Sequence, residues 1–118
     1  MAKLIGVSRT KELVYSARLL NAVEAFDLGI VNQLANSSSS PNMTAALSEA
    51  AIMAEKMAEN GPLALRAAKV AIDRGHMMDT ESALDWERAC YERCIGSKDR
   101  LEGLAAFAEK RKPRYTGE

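Results

Sequence analysis

Gly61, Gly75, Gly96 and Pro113 cut the second half of the chain into short stretches, and within each stretch apolar residues recur every three or four positions. A chain punctuated this way builds helices no longer than the gaps between its breakers, and no pair of strand-like alternating runs accompanies them. Thr44 to Ala58 carries a stripe of Leu47, Ala50, Ala51, Ala54, Met57 and Ala58, opposed by Glu49, Glu55 and Lys56. Such a stripe predicts an amphipathic helix ended by Asn60-Gly61. Pro62 suits the first position of the next helix, where its missing N–H is no loss, and that helix is expected to run to about Arg74 and stop at Gly75. Asp79 or Thr80 caps a further helix with Leu84, Tyr91 and Ile95 on one side, broken at Gly96. Ser97 caps the last, where Leu101, Leu104, Ala105 and Ala108 share a face until Pro113 forbids continuation.

The first part reads less regularly. Ser8 is a candidate cap for a helix bearing Leu13, Val14, Ala17 and Leu20. Asn21 and Glu24 have capping-box spacing for a short second helix, and Gly29 is the residue best able to end it in a left-handed conformation. Ile30 to Leu34 is apolar but has no partner strand, so it is expected to be a connector. Ser37 to Ser40 and Pro41 read as an exposed loop. The expected fold is therefore all-α, with five to six helices in a single unit over 1–118. Within it, 1–35 holds two short helices and a connector, 36–43 is the serine-rich loop, and 44–118 is a helical subdomain.

Composition narrows the function. At 118 residues, 47% of them hydrophobic, the chain has the size of one domain, and with aromatics at 5% its core must rest on Leu, Ala, Met and Val. Sixteen basic residues balance sixteen acidic ones, so no global field favours nucleic acid or an anionic membrane, and neither is expected as a partner. No apolar run approaches the roughly 20 residues needed to span a bilayer. No secretory or transit signal is recognisable, and an intracellular, reducing location is expected. Cys90 and Cys94, the only cysteines, lie one helical turn apart and read as buried small hydrophobes rather than a disulfide framework.

Few residues carry chemistry. His76 is the only histidine, so neither a histidine pair for zinc nor a local Ser-His-Asp set can be assembled, and no metal site is expected. Asp85, Glu87, Glu92, Asp99 and Glu102 each sit among Arg or Lys and read as surface ion-pair partners rather than acid–base catalysts. No Gly-rich phosphate loop is present. The exception is the tail, where Lys110, Arg111, Lys112 and Arg114 cluster beside Phe107 and Tyr115. An aromatic ring stacks on a base while a lysine or arginine neutralises a phosphate, a chemistry suited to a nucleotide.

Ser97-Lys98-Asp99-Arg100-Leu101-Glu102-Gly103-Leu104-Ala105-Ala106-Phe107-Ala108-Glu109-Lys110-Arg111-Lys112-Pro113-Arg114-Tyr115 closely resembles the C-terminal signature of the enoyl-CoA hydratases of the crotonase superfamily. Ala17-Arg18 through Ala22, Glu24-Ala25, Gly29-Ile30-Val31 and Gly61-Pro62 with Ala64, Ala67 and Lys69 resemble further segments of that family. The ending Pro113 to Glu118 is similar to its methylglutaconyl-CoA hydratase branch, which is mitochondrial.

The resemblance implies the helical, trimer-forming C-terminal region of a crotonase fold without its β/α spiral half. The spiral half carries the family's oxyanion-hole amides and two catalytic glutamates, so no catalytic residue is assigned here. Phe107 and Lys110 match positions that approach the adenosine and phosphate end of coenzyme A. A CoA thioester is thus the implied substrate of the whole enzyme, with no covalently bound cofactor, and self-association as a trimer or dimer of trimers is the implied assembly. The alternative is a stand-alone helical interaction module derived from the family. The residues do not decide between hydration and isomerisation.

Overall fold

The structure, a computed structural model, describes residues 1–35 and 43–118, so the expected serine-rich loop lies outside the described residues except for Met43, which already belongs to a helix. Seven helices follow one another, α1 (Ala2–Ile5), α2 (Val7–Tyr15), α3 (Ala22–Asp27), α4 (Met43–Ala58), α5 (Pro62–Gly75), α6 (Thr80–Ile95) and α7 (Lys98–Ala108), with no strand among the described residues. The all-α expectation holds. The chain resolves into two compact units, Met1–Ile52 and Met53–Glu118.

In the first unit the helix start differs from the expected one. Ser8 does not cap; it lies inside α2, whose cap position is Gly6. Gly6 adopts φ 85, a conformation easy only for glycine, and so ends the short α1 and starts α2 at one residue. The expected run through Ala17 to Leu20 also stops early. Ala17 turns left-handed at φ 50, its N–H donating to Val14 O at 3.3 Å and the Arg18 N–H to Leu13 O at 3.3 Å. Those two bonds satisfy the last carbonyls of α2 in a Schellman motif. Asn21 and Glu24 form the expected capping box: the Glu24 N–H donates to Asn21 Oδ1 at 2.9 Å and the Asn21 N–H to Glu24 Oε2 at 3.0 Å. The Asn21 N–H, and then the Arg18 guanidinium, hold the Glu24 carboxyl below its ordinary value. Gly29, at φ 72, closes α3 in a second Schellman motif, its N–H reaching Phe26 O and that of Ile30 reaching Ala25 O, both at 2.8 Å. Ile5 and Leu13 are the buried apolar residues among the described residues of this unit.

In the second unit α5 and α6 form a hairpin. Gly75 faces Ala83 near the turn, while further out the Trp86 indole N–H donates to Val70 O at 3.3 Å, so the helices run antiparallel. The Arg74 guanidinium lies 5.1 Å from the centre of the Trp86 ring and covers its face. Asp79 is the cap of α6, accepting from the Ser82 hydroxyl at 2.6 Å and the Ser82 N–H at 3.0 Å, and these bonds lower its pKa. Ser97 joins α6 to α7 through one hydroxyl, which donates to Cys94 O at 2.8 Å and accepts from the Arg100 N–H at 3.1 Å.

The apolar stripes point away from this unit's core. Leu101 and Leu104 of α7 and Leu84, Tyr91 and Ile95 of α6 are all exposed, as is Leu47 of α4 in the first unit. What is buried instead is Cys90, Cys94, Ser97, Asp99 and Ala106. Periodicity locates a helix and its apolar face, but not the partner that covers the face.

Past α7 the chain turns back at Lys110, left-handed at φ 54, in a third Schellman motif: the Lys110 N–H donates to Phe107 O at 3.2 Å and the Arg111 N–H to Ala106 O at 3.0 Å. The strap 111–118 is then held by two carboxylates one helical turn apart on α7. Glu102 accepts from Arg111 Nη1 at 2.6 Å, Arg111 Nη2 at 2.9 Å and the Arg114 N–H at 2.8 Å. Asp99 accepts from the N–H groups of Thr116 at 2.7 Å and Gly117 at 3.0 Å. Between these clasps Tyr115 lies over Gly103 and Gly61. A Cβ at Gly103 would sit 3.2 Å from the Tyr115 hydroxyl, tighter than an ordinary contact. Glycine inside a helix costs about 1 kcal/mol relative to alanine, and the room for Tyr115 offsets that loss.

Two outcomes follow from these contacts. Trp86→Phe removes the indole donor and weakens the ring's hold on Arg74, and should lower stability by about 1 kcal/mol, measured as a shift in urea midpoint; an unchanged midpoint would mean that the pair contributes nothing. Glu102 is depressed from 4.5 to about 2, first by the Arg111 guanidinium and then by the Arg114 N–H. A depressed folded pKa means the clasp's contribution is complete above pH 4.5, fades as pH falls from there toward 2, and is gone below. Carboxyl NMR of Glu102 should therefore give a midpoint well below 4.5, and a midpoint near 4.5 would contradict the clasp.

Candidate functional site

The C-terminal end of α7 carries both residues that sequence resemblance assigned to ligand binding. Phe107 lies in the last turn, and at 87% exposure its ring touches little of the chain. Lys110 follows three residues on, exposed, at the left-handed position of the Schellman turn, and no hydrogen bond or ion pair involves its ammonium among the described residues. A helix C-terminus carries partial negative charge, so an anion approaches only where a cation offsets it.

The rest of the basic cluster is mostly committed elsewhere. Arg111 pairs with Glu102 and also with Glu109, at 2.5 Å, and both carboxylates raise its already high pKa. Lys112 Nζ lies 3.2 Å from Glu59 Oε1. The backbone of Arg114 is pinned to Glu102, and its positive charge adds to the lowering of that carboxyl. Tyr115 is half-buried over Gly61 and Gly103, so it does not stand beside Phe107 as a second stacking surface. Of the four cations and two rings that the sequence places together, Phe107, Lys110 and Arg114 have exposed side chains without hydrogen-bond or ion-pair partners among the described residues.

The other candidates take structural roles. Asp99 and Glu102 clasp backbone and guanidinium, whereas Asp85, Glu87 and Glu92 are exposed on α6. His76 caps the end of α5 with Nδ1 3.2 Å from Ile72 O. Cys90 and Cys94 are buried free thiols, and no cluster of potential metal ligands occurs among the described residues. No described helix is long and apolar enough to cross a membrane.

The sequence reading missed the Asp99–Glu102 pair. The signal that would have revealed it is an Asp-x-x-Glu spacing in one helix followed by Gly103, with Arg111 and Tyr115 downstream to reach back. A cleft of about 340 Å³ opens beside that pair, lined among others by Gly61, Tyr91, Cys94, Leu104 and Tyr115.

The family model for enoyl-CoA hydratase/isomerase matches residues 1–118. The chain is 44% identical over 117 residues to a probable mitochondrial enoyl-CoA hydratase 2 of Arabidopsis thaliana, covering 99% of the chain and 37% of that relative. It is 42% identical to human mitochondrial methylglutaconyl-CoA hydratase over 118 residues, 100% of the chain and 34% of the relative. The crystal structure of an enoyl-CoA hydratase from Bacillus anthracis superposes with a TM-score of 0.90 at 44% identity, over 99% of this chain and 43% of that one. The chain thus spans well under half the length of these relatives. A family model matching from end to end, and a helical architecture shared with a solved hydratase, place the chain in the enoyl-CoA hydratase/isomerase family.

Proposed function

We propose that this chain is the helical C-terminal segment of an enoyl-CoA hydratase of acyl-CoA degradation, acting on fatty-acid or branched-chain amino-acid intermediates. In this reading it supplies oligomerisation helices and one wall of the CoA site. It does no chemistry by itself in this reading: hydration of an enoyl thioester needs an oxyanion hole and a positioned water, and of the carboxylates weighed for acid–base work Asp99 and Glu102 are clasped while Asp85, Glu87 and Glu92 are exposed on α6. Phe107 stacks on the adenine and Lys110 meets the adenosine phosphate. The observation that carries this role is the pairing of an unpacked aromatic ring with an unpaired ammonium at one helix end. A mitochondrial location is proposed from relatives whose names carry that word.

The exposed apolar residues Ile72, Leu84, Leu101 and Leu104 favour a second reading, a helical scaffold whose business is association alone. Under either reading, velocity sedimentation should show concentration-dependent self-association; a sharp monomer with a cooperative thermal transition would contradict the association surfaces.

Calorimetric titration of CoA into the purified chain separates the two readings. Lys110→Ala and Phe107→Ala should each weaken binding roughly tenfold, as the loss of one phosphate contact or one stacking contact predicts. Affinity unchanged in both variants overturns their assignment. No binding by the unaltered chain favours the scaffold. Crotonyl-CoA should not be hydrated above the buffer rate, and turnover by the chain alone would refute the segment's catalytic dependence.

A further inference from the structure

The strap 111–118 contains no helix or strand, and it is held down mainly by α7, with Lys112 on Glu59 and Tyr115 against Gly61 as its contacts outside that helix. Glu102 fastens its near end through Arg111 and Arg114, and Asp99, only 6% exposed, fastens its far end through the N–H groups of Thr116 and Gly117. The Asp99 N–H in turn donates to Glu118 O at 3.1 Å, and Lys98 pairs with the Glu118 carboxylate at 2.5 Å. Those last contacts join the strap to the first turn of α7, where the helix's own N–H groups need outside acceptors.

The geometry suits a segment that detaches as one piece. Its root is Lys110, held left-handed at φ 54, a conformation disfavoured for a residue bearing a Cβ. Once the clasps let go, the root is held only by the two Schellman bonds of Lys110 and Arg111 and by the exposed Arg111–Glu109 pair. Tyr115 travels with the strap, and its ring is one wall of the cleft of about 340 Å³ that also contains Cys94, Tyr91 and Leu104. Cys94 is 8% exposed beside this cleft, whereas Cys90, one turn earlier on α6 and 4% exposed, is not among its walls. Lifting Tyr115 therefore removes a wall of the cleft that Cys94 lines and leaves the surroundings of Cys90 as they were.

We propose that residues 111–118 form a latch hinged at Lys110 and kept shut by Asp99, which opens by itself, without unfolding of the helices, and turns the cleft beside Cys94 into an open apolar groove. The inference rests on the strap's contacts alone and is independent of the CoA role.

Thiol labelling tests it, with 4,4′-dithiodipyridine on the full chain and two single-cysteine backgrounds, Cys90→Ala to report Cys94 and Cys94→Ala to report Cys90. Asp99→Asn puts an amide NH2 against a backbone donor. It should speed Cys94 labelling about tenfold or more, as loss of a hydrogen bond to a charged group predicts, while Cys90 labelling stays at its original rate. Thr116→Pro removes one strap donor without touching α7 and should act in the same direction, which keeps the test available if Asp99→Asn does not fold. Equal acceleration of both thiols would mean that the helices open together, and no acceleration of either would mean that Asp99 does not hold the strap. Either result overturns the latch.

Discussion

Asp99 is where three parts of the second unit meet. Its carboxylate satisfies the N–H groups of Thr116 and Gly117, its own N–H finds Glu118 O, and its side chain sits against the backbone of Gly61 at the start of α5. A charged acceptor with backbone donors around it is among the stronger contacts available to a small protein. The rest of the unit is arranged to permit this contact. Gly103 lacks the Cβ that would crowd Tyr115, and Ser97 positions Asp99 in the first turn of α7 while ending α6. Glu102, one turn along, brings the strap to the right place by gripping Arg111. Arginine suits that grip because its planar fork meets both carboxylate oxygens, which an ammonium does not.

Much of this order was legible in sequence wherever the cause is local. Asn21 with Glu24, Pro62, Asp79 and Ser97 each act on backbone groups within three residues, and each does what its spacing implies. Ser8 misled because a helix start is set by backbone conformation as well as by a side-chain acceptor, and Gly6 supplied the turn first. Ala17 and Lys110 were hidden for a related reason: both stand left-handed where glycine is the expected residue, the conformation being carried by the helix-end hydrogen bonds. The strap was invisible to local patterns altogether, since Asp99 meets Thr116 and Glu102 meets Arg111 only after the chain doubles back.

The candidate site divides along the same line. A cluster of four cations beside two rings reads as a single nucleotide-binding patch, yet ion pairing with Glu102, Glu109 and Glu59 removes Arg111 and Lys112 from it, and packing removes Tyr115. Phe107, Lys110 and the Arg114 guanidinium are what is left, each exposed and without a hydrogen-bond or ion-pair partner among the described residues. No property of their own residue types singles them out, so resemblance to a family is what picks Phe107 and Lys110 from among them, and the contacts of their neighbours explain why all three stand apart. The strained turn at Lys110 fits this picture, because it fixes the root of a flexible side chain on a helix end that otherwise repels anions.

The apolar stripes carry the argument furthest. Leu47, Leu84, Tyr91, Leu101 and Leu104 lie on helical faces that the sequence marks for burial, yet in this chain all are exposed, and the fully buried apolar residues of the described chain are few and mostly small. Burial of apolar surface contributes roughly 25 cal/mol per Å², and a chain that leaves its largest side chains in water forgoes most of that term. Its helices are instead held by caps, Schellman turns and the two carboxylate clasps, contacts that fix geometry but contribute little net stability apiece. A fold built this way is well specified locally and weakly stabilised overall. The physical demand it creates is for another surface to cover those faces, and that demand links the helical architecture to assembly more directly than any residue at the candidate ligand site does.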